Sequence, residues 1–280
     1  MATIKDALNA TPSPAPSRVY YSTGRMLGVE DFEADQNYHR GRLARALLQL
    51  HGTGTVSGLK VQTDGNADLA KLEIQVTPGI ALDRIGRIIE VPRTVCIRVK
   101  PWLDQQTDSD LILAFKGTFI LCDVFASFVA CMRGKTPCFA AQDDYDATDA
   151  FSPNRWLDSF AMQLVLRTDT SPKTPTDPWL PTGPVTTPGT NPAHPTPAEL
   201  RQAILDATAG PAAAPTEYPP QFDATSVFLA RLQIVATQAG AGQRPVADLT
   251  KININNLSRL FLYPVALLAR WTGLGSGAEA

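Results

Sequence analysis

Between residues 55 and 99 apolar and polar positions alternate, the period of strands with one buried face. In "TVSGLKVQT" and "LEIQVTPGIALDRIGRIIEV" this places Leu72, Ile74 and Val76 on one face, with Ile80, Leu82 and Ile88 around "DRIG". The pattern predicts a β-meander turning at Thr77–Gly79 and around Gly86. "TVCIRVK" reads as a further strand, and "TFILCDVFASFVAC", long and rich in β-branched and aromatic residues, as a central strand or strand pair. "RWLDSFAMQLVLRT" and "TSVFLARLQIVAT" read as strands, the second followed by a turn near "AGAGQRP", and "VYYSTGRML" as a short strand and turn. "INNLSRLFLYPVALLARW" mixes helical and strand periods and takes no assignment.

One stretch has a different period. Within "GRMLGVEDFEADQNYHRGRLARALLQLHG", Phe32, Leu43, Leu47 and Leu50 recur at helical spacing and predict an amphipathic helix over about 29–50 with one buried seam. Glu30, Asp31, Glu33 and Asp35 lie in its first turns, and Arg40, Arg42 and Arg45 lie later, as the helix dipole favours. The reading is a structural helix laid on a sheet.

Residues 171–220 hold thirteen of the 23 prolines, which excludes sheet interior and long helix there. "PAELRQAILDATAG" is the exception, a short helix with proline at its start and glycine at its end. The expected architecture is mainly β. A sandwich-like domain with one N-terminal helix spans 18–170, after an arm over 1–17. A proline-rich extension covers 171–220, and strands within 221–280 complete the domain or dock on a partner.

Composition narrows the function. With 25 basic and 27 acidic residues the net charge is −2, which leaves no basic surplus for a nucleic-acid backbone. The N-terminal segment lacks an apolar core and no apolar run is long enough to span a bilayer, so neither a signal peptide nor a membrane anchor is expected. Cys96, Cys122, Cys131 and Cys138 form no C-x-x-C pair and read as reduced thiols of a protein made in the cytoplasm.

Chemical candidates fare poorly. His39 and His51 are twelve residues apart, about 120° around an ideal helix, so they cannot chelate as an i, i+4 pair would. Asp143, Asp144, Asp146 and Asp149 lack the spacing of a calcium loop. No phosphate-binding, dinucleotide or nucleophile-elbow fingerprint occurs. No catalytic, cofactor-binding or metal-ligating residue is assigned and no cofactor is expected. His51, beside a glycine-rich turn, is the one plausible base for a hydrolase.

Several pieces in order resemble a known family. "YYSTGRMLGVEDFEADQNYHRGRLARALLQLHGTGTVSGLKV" followed by "VTPGIALDRIGRIIEV" is similar to structural proteins encoded with contractile phage tails and phage-tail-like injection systems. The matching positions include Gly24, Asp31, Phe32, Gln36, Tyr38, His39, Arg40, His51, Gly52, Gly79, Asp83, Gly86 and Arg87. The likeness covers 19 to about 100 well, 118–167 less sharply, and the rest poorly. The layout of the first half is also similar to the shell domain of the type VI secretion baseplate connector. Gly28 stands where the family has a helix-capping threonine, and the proline-rich stretch is expanded.

The resemblance implies a baseplate subunit or fibre adaptor in a virion tail or injection particle, joining the core to peripheral fibres or spikes. Its partners would be other tail subunits and further copies of itself. Within the proline-rich extension Trp179 and Leu180 are the candidate contacts, with Trp271 beyond it; the extension either binds a neighbour or wraps its own domain. Two rival readings remain: a carbohydrate- or receptor-binding module, if Trp102, Trp156 or Trp179 cluster, and a hydrolase built on His51.

Overall fold

The computed structural model describes residues 17–134, 136–137, 151–175, 205, 217–219 and 221–266. The chain is mainly β, with antiparallel sheets layered in a sandwich-like arrangement and a helix at its start. Helix α1 (Val29–His51) precedes β1 (Gly54–Gly58), β2 (Val61–Thr63), β3 (Glu73–Val76), β4 (Gly79–Leu82), β5 (Ile88–Val91) and β6 (Val95–Arg98). Two short helices, α2 (Val99–Asp104) and α3 (Asp108–Ala114), lead into β7 (Phe119–Arg133). The small pair β8 (Thr136–Pro137) and β9 (Phe151–Ser152) stands before β10 (Arg155–Leu166). Strands β11 (Val227–Thr237) and β12 (Val246–Asn255) follow the proline-rich stretch.

The large sheet has the order β10-β7-β11-β12. Strand β7 is central, paired with β10 along twelve positions on one edge and with β11 on the other. Enclosure on both edges and both faces explains its mainly apolar run: Ile120–Ser127 are all buried, Asp123 and Ser127 among them. Two three-stranded sheets, β1-β4-β5 and β2-β3-β6, supply the opposing layer. Leu59, Val61, Ile74, Val76, Ile89 and Val91 from that layer share one core with Ile120, Cys122, Val124, Leu229, Leu232 and Ile234 of the large sheet.

The expected meander is corrected here. "TVSGLKVQT" is two strands in two different sheets, and β3 and β4 also lie in different sheets. The chain changes sheet at Gly58 and Leu59, both in the left-handed region at φ 62° and 54°. That conformation costs an L-residue roughly 1–2 kcal/mol, and full burial of the Leu59 side chain offsets it. Gly58 also faces Gly79 across the β1–β4 pair, where a Cβ on either would fall 2.0–2.2 Å from a carbonyl oxygen of the other strand's turn. Residues 19–27 form no strand; they run exposed beside α1, turning at 23–24.

Three pieces had no sequence assignment. Thr107 caps α3, its hydroxyl accepting from the Asp110 N–H at 3.1 Å. Strand β12 extends β11 at the sheet edge. The unassigned "INNLSRLFLYP" turns back onto the first sheets. Asn256 exchanges two 2.9 Å side-chain bonds with the Val61 backbone, and the Thr55 N–H and carbonyl bond Leu260 and Leu262. Arg259 is buried there with carbonyl and amide oxygens as partners, the Leu59 carbonyl at 2.7 Å, and burial pushes its guanidinium down to about 10.

Candidate functional site

The motif residues divide into two structural groups and one exposed face. On the hairpin β4–β5, buried Asp83 organises its own turn. Its carboxylate accepts the N–H groups of Ile85 and Arg87 at 3.0 and 2.8 Å and the Arg87 side chain at 2.6 Å. Burial raises the Asp83 carboxyl above its ordinary value, with Arg87 pulling the other way. Arg87 continues to Thr225 at 3.0 Å and lies over the Phe128 ring at 4.7 Å, which joins the hairpin to the large sheet. Gly86, at φ 83°, presses on α1: a Cβ there would meet the Ala44 carbonyl oxygen at 2.0 Å. Asp83, Gly86 and Arg87 are thus brought together for architecture.

The second group is an ionic network that no sequence motif announced. Asp123, fully buried on β7, receives a two-point bond from Arg231 at 2.8 and 2.9 Å and another from the fully buried Arg167. Arg167 also grips Asp169 with two 2.9 Å bonds. Burial raises the Asp169 carboxyl, but the hydrogen bonds and charge of Arg167, helped by Lys116, outweigh it and hold it below its ordinary value. The same cations fasten both roots of the proline-rich stretch. Arg231 donates to the Pro172 and Lys173 carbonyls at 2.8 Å, and Arg167 to the Glu217 carbonyl at 2.7 Å. Arg84 adds the Glu217 carboxylate and the Tyr218 hydroxyl, and burial pushes that phenol up to about 12.

The third feature overturns an expectation. The stripe of α1 was read as a buried seam, yet Phe32, Leu43 and Leu50 are 53%, 57% and 77% exposed, and Leu47 is only half-buried. Ala44 is the buried residue of the helix, held where Gly86 meets it. The physical reason is contact geometry. The hairpin tip touches α1 from the side of Ala44, nearly a right angle or more around the helix from Phe32, Leu43 and Leu50. Val29, 73% exposed, extends the same face by one turn, and Met26, 94% exposed, lies just before the helix. Asp31 anchors the helix start by accepting the Gly28 N–H at 3.0 Å and Arg25 at 3.2 Å, the first of which is one half of a capping box.

The other motif side chains line the helix surface. Gln36 and Arg40 are exposed, Tyr38 is half-buried edge-on to His39 at 5.3 Å, and His39 reaches Asp35 at 3.6 Å. Gly52 ends α1, its N–H donating to the Leu48 carbonyl at 2.9 Å. His51 is exposed and makes no hydrogen bond or ion pair among the described residues. Gly79 serves the close β1–β4 approach described above.

Trp102 belongs to the core margin, its indole N–H donating to the Leu164 carbonyl at 3.0 Å. Trp156 begins β10 eight residues before Leu164, roughly 27 Å away along the strand, so those two form no cluster. Trp179, Leu180, Trp271, the expected 197–210 helix apart from exposed Leu205, Cys138 and the aspartates of 143–149 lie outside the described residues. Among the described residues no three His, Cys, Asp or Glu side chains converge as a metal site, and no helix is long and apolar enough to cross a membrane. A pocket lined by Thr53, Arg84, Glu217, Tyr218 and Leu260 has about 10 Å³ of room, which holds at most one water.

No protein-family model matches the chain. No curated protein matches it either. Among solved structures it is similar to one titled "Crystal structure of TssK", at 10% identity and a TM-score of 0.32. That likeness covers 84% of this chain and 41% of the other, so the chain spans less than half the length of that protein. An overlay that loose carries no argument about function.

Proposed function

We propose that this protein is a structural subunit of a contractile tail or tail-like injection-system baseplate, joining the core to peripheral fibres or spikes through protein–protein surfaces and carrying no catalysis. The observation that supports it is the exposed apolar face of α1, inside the stretch whose motif resembles that family. Phe32, Leu43 and Leu50 present large side chains to solvent along one face of a helix whose opposite side the fold already uses. Large apolar side chains exposed along one face of a helix, even with a polar break at Gln36 and His39, are the mark of a binding surface. The ionic network supports the same reading, because it gives the proline-rich stretch two rigid roots from which to reach a neighbour.

The test is incorporation into the particle. Phe32→Asp and Leu43→Asp change exposed positions, so each variant keeps its fold by circular dichroism and thermal unfolding. Each is expected to disappear from particles purified from cells that make the remaining subunits. Wild-type chain absent from purified particles, or both variants incorporated at the wild-type level, overturns the proposal.

A further inference from the structure

Positions 29, 32, 36, 39, 43, 46 and 50 of α1 follow a strict alternation of three and four residues, and all seven are exposed. This is the spacing of a two-helix seam. Val29, Phe32, Leu43 and Leu50 supply apolar layers, and Gln36 and His39 a polar centre. Glu33 and Asp35 flank the seam in its first half, Arg40 and Arg42 in its second. Among the described residues Glu33, Arg40 and Arg42 make no hydrogen bond or ion pair, and Asp35 meets His39 of its own helix at 3.6 Å. An exposed apolar seam with unpaired charges along both sides is the layout of half an interface.

We infer that this face pairs with the same face of a second copy of the chain, the two α1 helices running antiparallel about a two-fold axis. The inference rests on the reading of the protein as an assembly subunit and names the occupant of one surface. Charge selects that occupant. Set Phe32 against the second copy's Leu43, and Gln36 falls against its His39 and Val29 against its Ala46. In that register Glu33 faces the second copy's Arg40 and Asp35 faces its Arg42. The two-fold axis repeats both, so four opposite-charge pairs form from one surface, with the helix dipoles opposed.

A parallel pairing does worse. It aligns the dipoles, stacks Gln36 on Gln36 and His39 on His39, and sets only Asp35 against the second copy's Arg40, two opposite-charge pairs instead of four, while Glu33 and Arg42 meet no opposite charge. In the antiparallel register the two helices overlap over residues 29–46, about 27 Å, with Leu50 beyond the overlap. The pairing therefore buries at most on the order of 1,000 Å², the low end for specific interfaces, and a weak association of roughly micromolar dissociation constant is expected.

The experiment uses the full chain in sedimentation equilibrium at low salt, where exposed ion pairs are least screened. The wild type is expected to dimerise. Glu33→Arg with Asp35→Arg, and separately Arg40→Glu with Arg42→Glu, should each weaken dimerisation at least about 100-fold. Mixing those two variants should restore a heterodimer, and all four changes in one chain should restore the homodimer. Phe32→Cys with Leu43→Cys should cross-link under mild oxidation beyond the parent, which already has exposed Cys96 and Cys131, while neither single cysteine does.

A wild type that is monomeric at about 100 µM, a hundredfold above the expected constant, overturns the inference. So does failure of the mixture to associate, or a Phe32→Cys variant that cross-links alone, the mark of parallel helices. If the chain stays monomeric while Phe32→Asp is lost from particles, the face takes a different protein. The baseplate reading then stands and the self-pairing falls.

Discussion

Strand β7 and helix α1 are both rich in apolar residues, yet they meet opposite fates. β7 carries a continuous run, and its residues 120–127 are buried between β10, β11 and the opposing sheets. α1 carries an equally regular stripe, and Val29, Phe32, Leu43 and Leu50 of it face solvent. The difference lies in what each element can satisfy alone. A strand leaves its backbone donors and acceptors open, so β7 has to be enclosed to be stable. A helix closes its own hydrogen bonds, so α1 needs only a foothold at Ala44 and keeps its apolar face free. Buried apolar pattern in this molecule marks its own core; the exposed pattern of α1 is the surface on which the proposed pairing rests.

The sharpest way to break that comparison is inside the enclosed region. Asp123→Ala strands Arg167 and Arg231 without their shared carboxylate and should cost about 3–5 kcal/mol in urea unfolding. A loss below about 1 kcal/mol would mean that the network carries little of the fold's stability. Gly86→Ala comes next, combining positive φ with a Cβ 2.0 Å from the Ala44 carbonyl. It should cost roughly 1–3 kcal/mol and loosen α1 first, seen as faster amide exchange in the helix than in β7.

Acid gives a smaller effect with a definite sign. The folded Asp169 carboxyl sits below its ordinary value of 3.8, so its contribution is complete above that value and is lost as pH falls through the lower folded one. Asp83 has the opposite sign, because its raised folded value means its contribution is present at low pH and lost as pH rises through that value. Asp169→Asn should therefore flatten the acid limb of the stability curve below about pH 4, and an unchanged limb would remove the claim. The smallest effect belongs to the exposed face. Phe32→Ala and Leu50→Ala should each move the monomer's stability by no more than about 0.5 kcal/mol, checked by thermal unfolding at dilute concentration. A loss of several kcal/mol would show that α1 is part of the core after all.

How much could be read in advance varied with the range of the interaction. β7 and β11 were legible because interior strands buried on both faces read as apolar runs. β10 was legible because its long run of apolar and β-forming residues marks a strand even at a sheet edge, and α1 because its period and charge gradient are local. Strand β12 escaped because only the short alternation "KININ" marks it, and it covers an edge where half its side chains face water. Helix α3 carries a readable signal, Thr107 three residues before Asp110. The sheet change at Gly58–Leu59 was hidden, since alternation continues across it and shows no break in period.

By itself, then, the order of residues determined the mainly β character, the helix at the start and the tight turn at Gly86, because each depends on neighbours within a few positions. It also determined the acidic-to-basic charge gradient along α1. Tertiary structure alone decided which apolar surfaces are covered and which charges meet. Asp123 finds Arg167 across 44 residues and Arg231 across 108, and no local pattern encodes such pairs. The same holds for the face of α1: periodicity states that a helix has an apolar side, and only the placement of the β4–β5 hairpin against Ala44 left that side turned toward solvent.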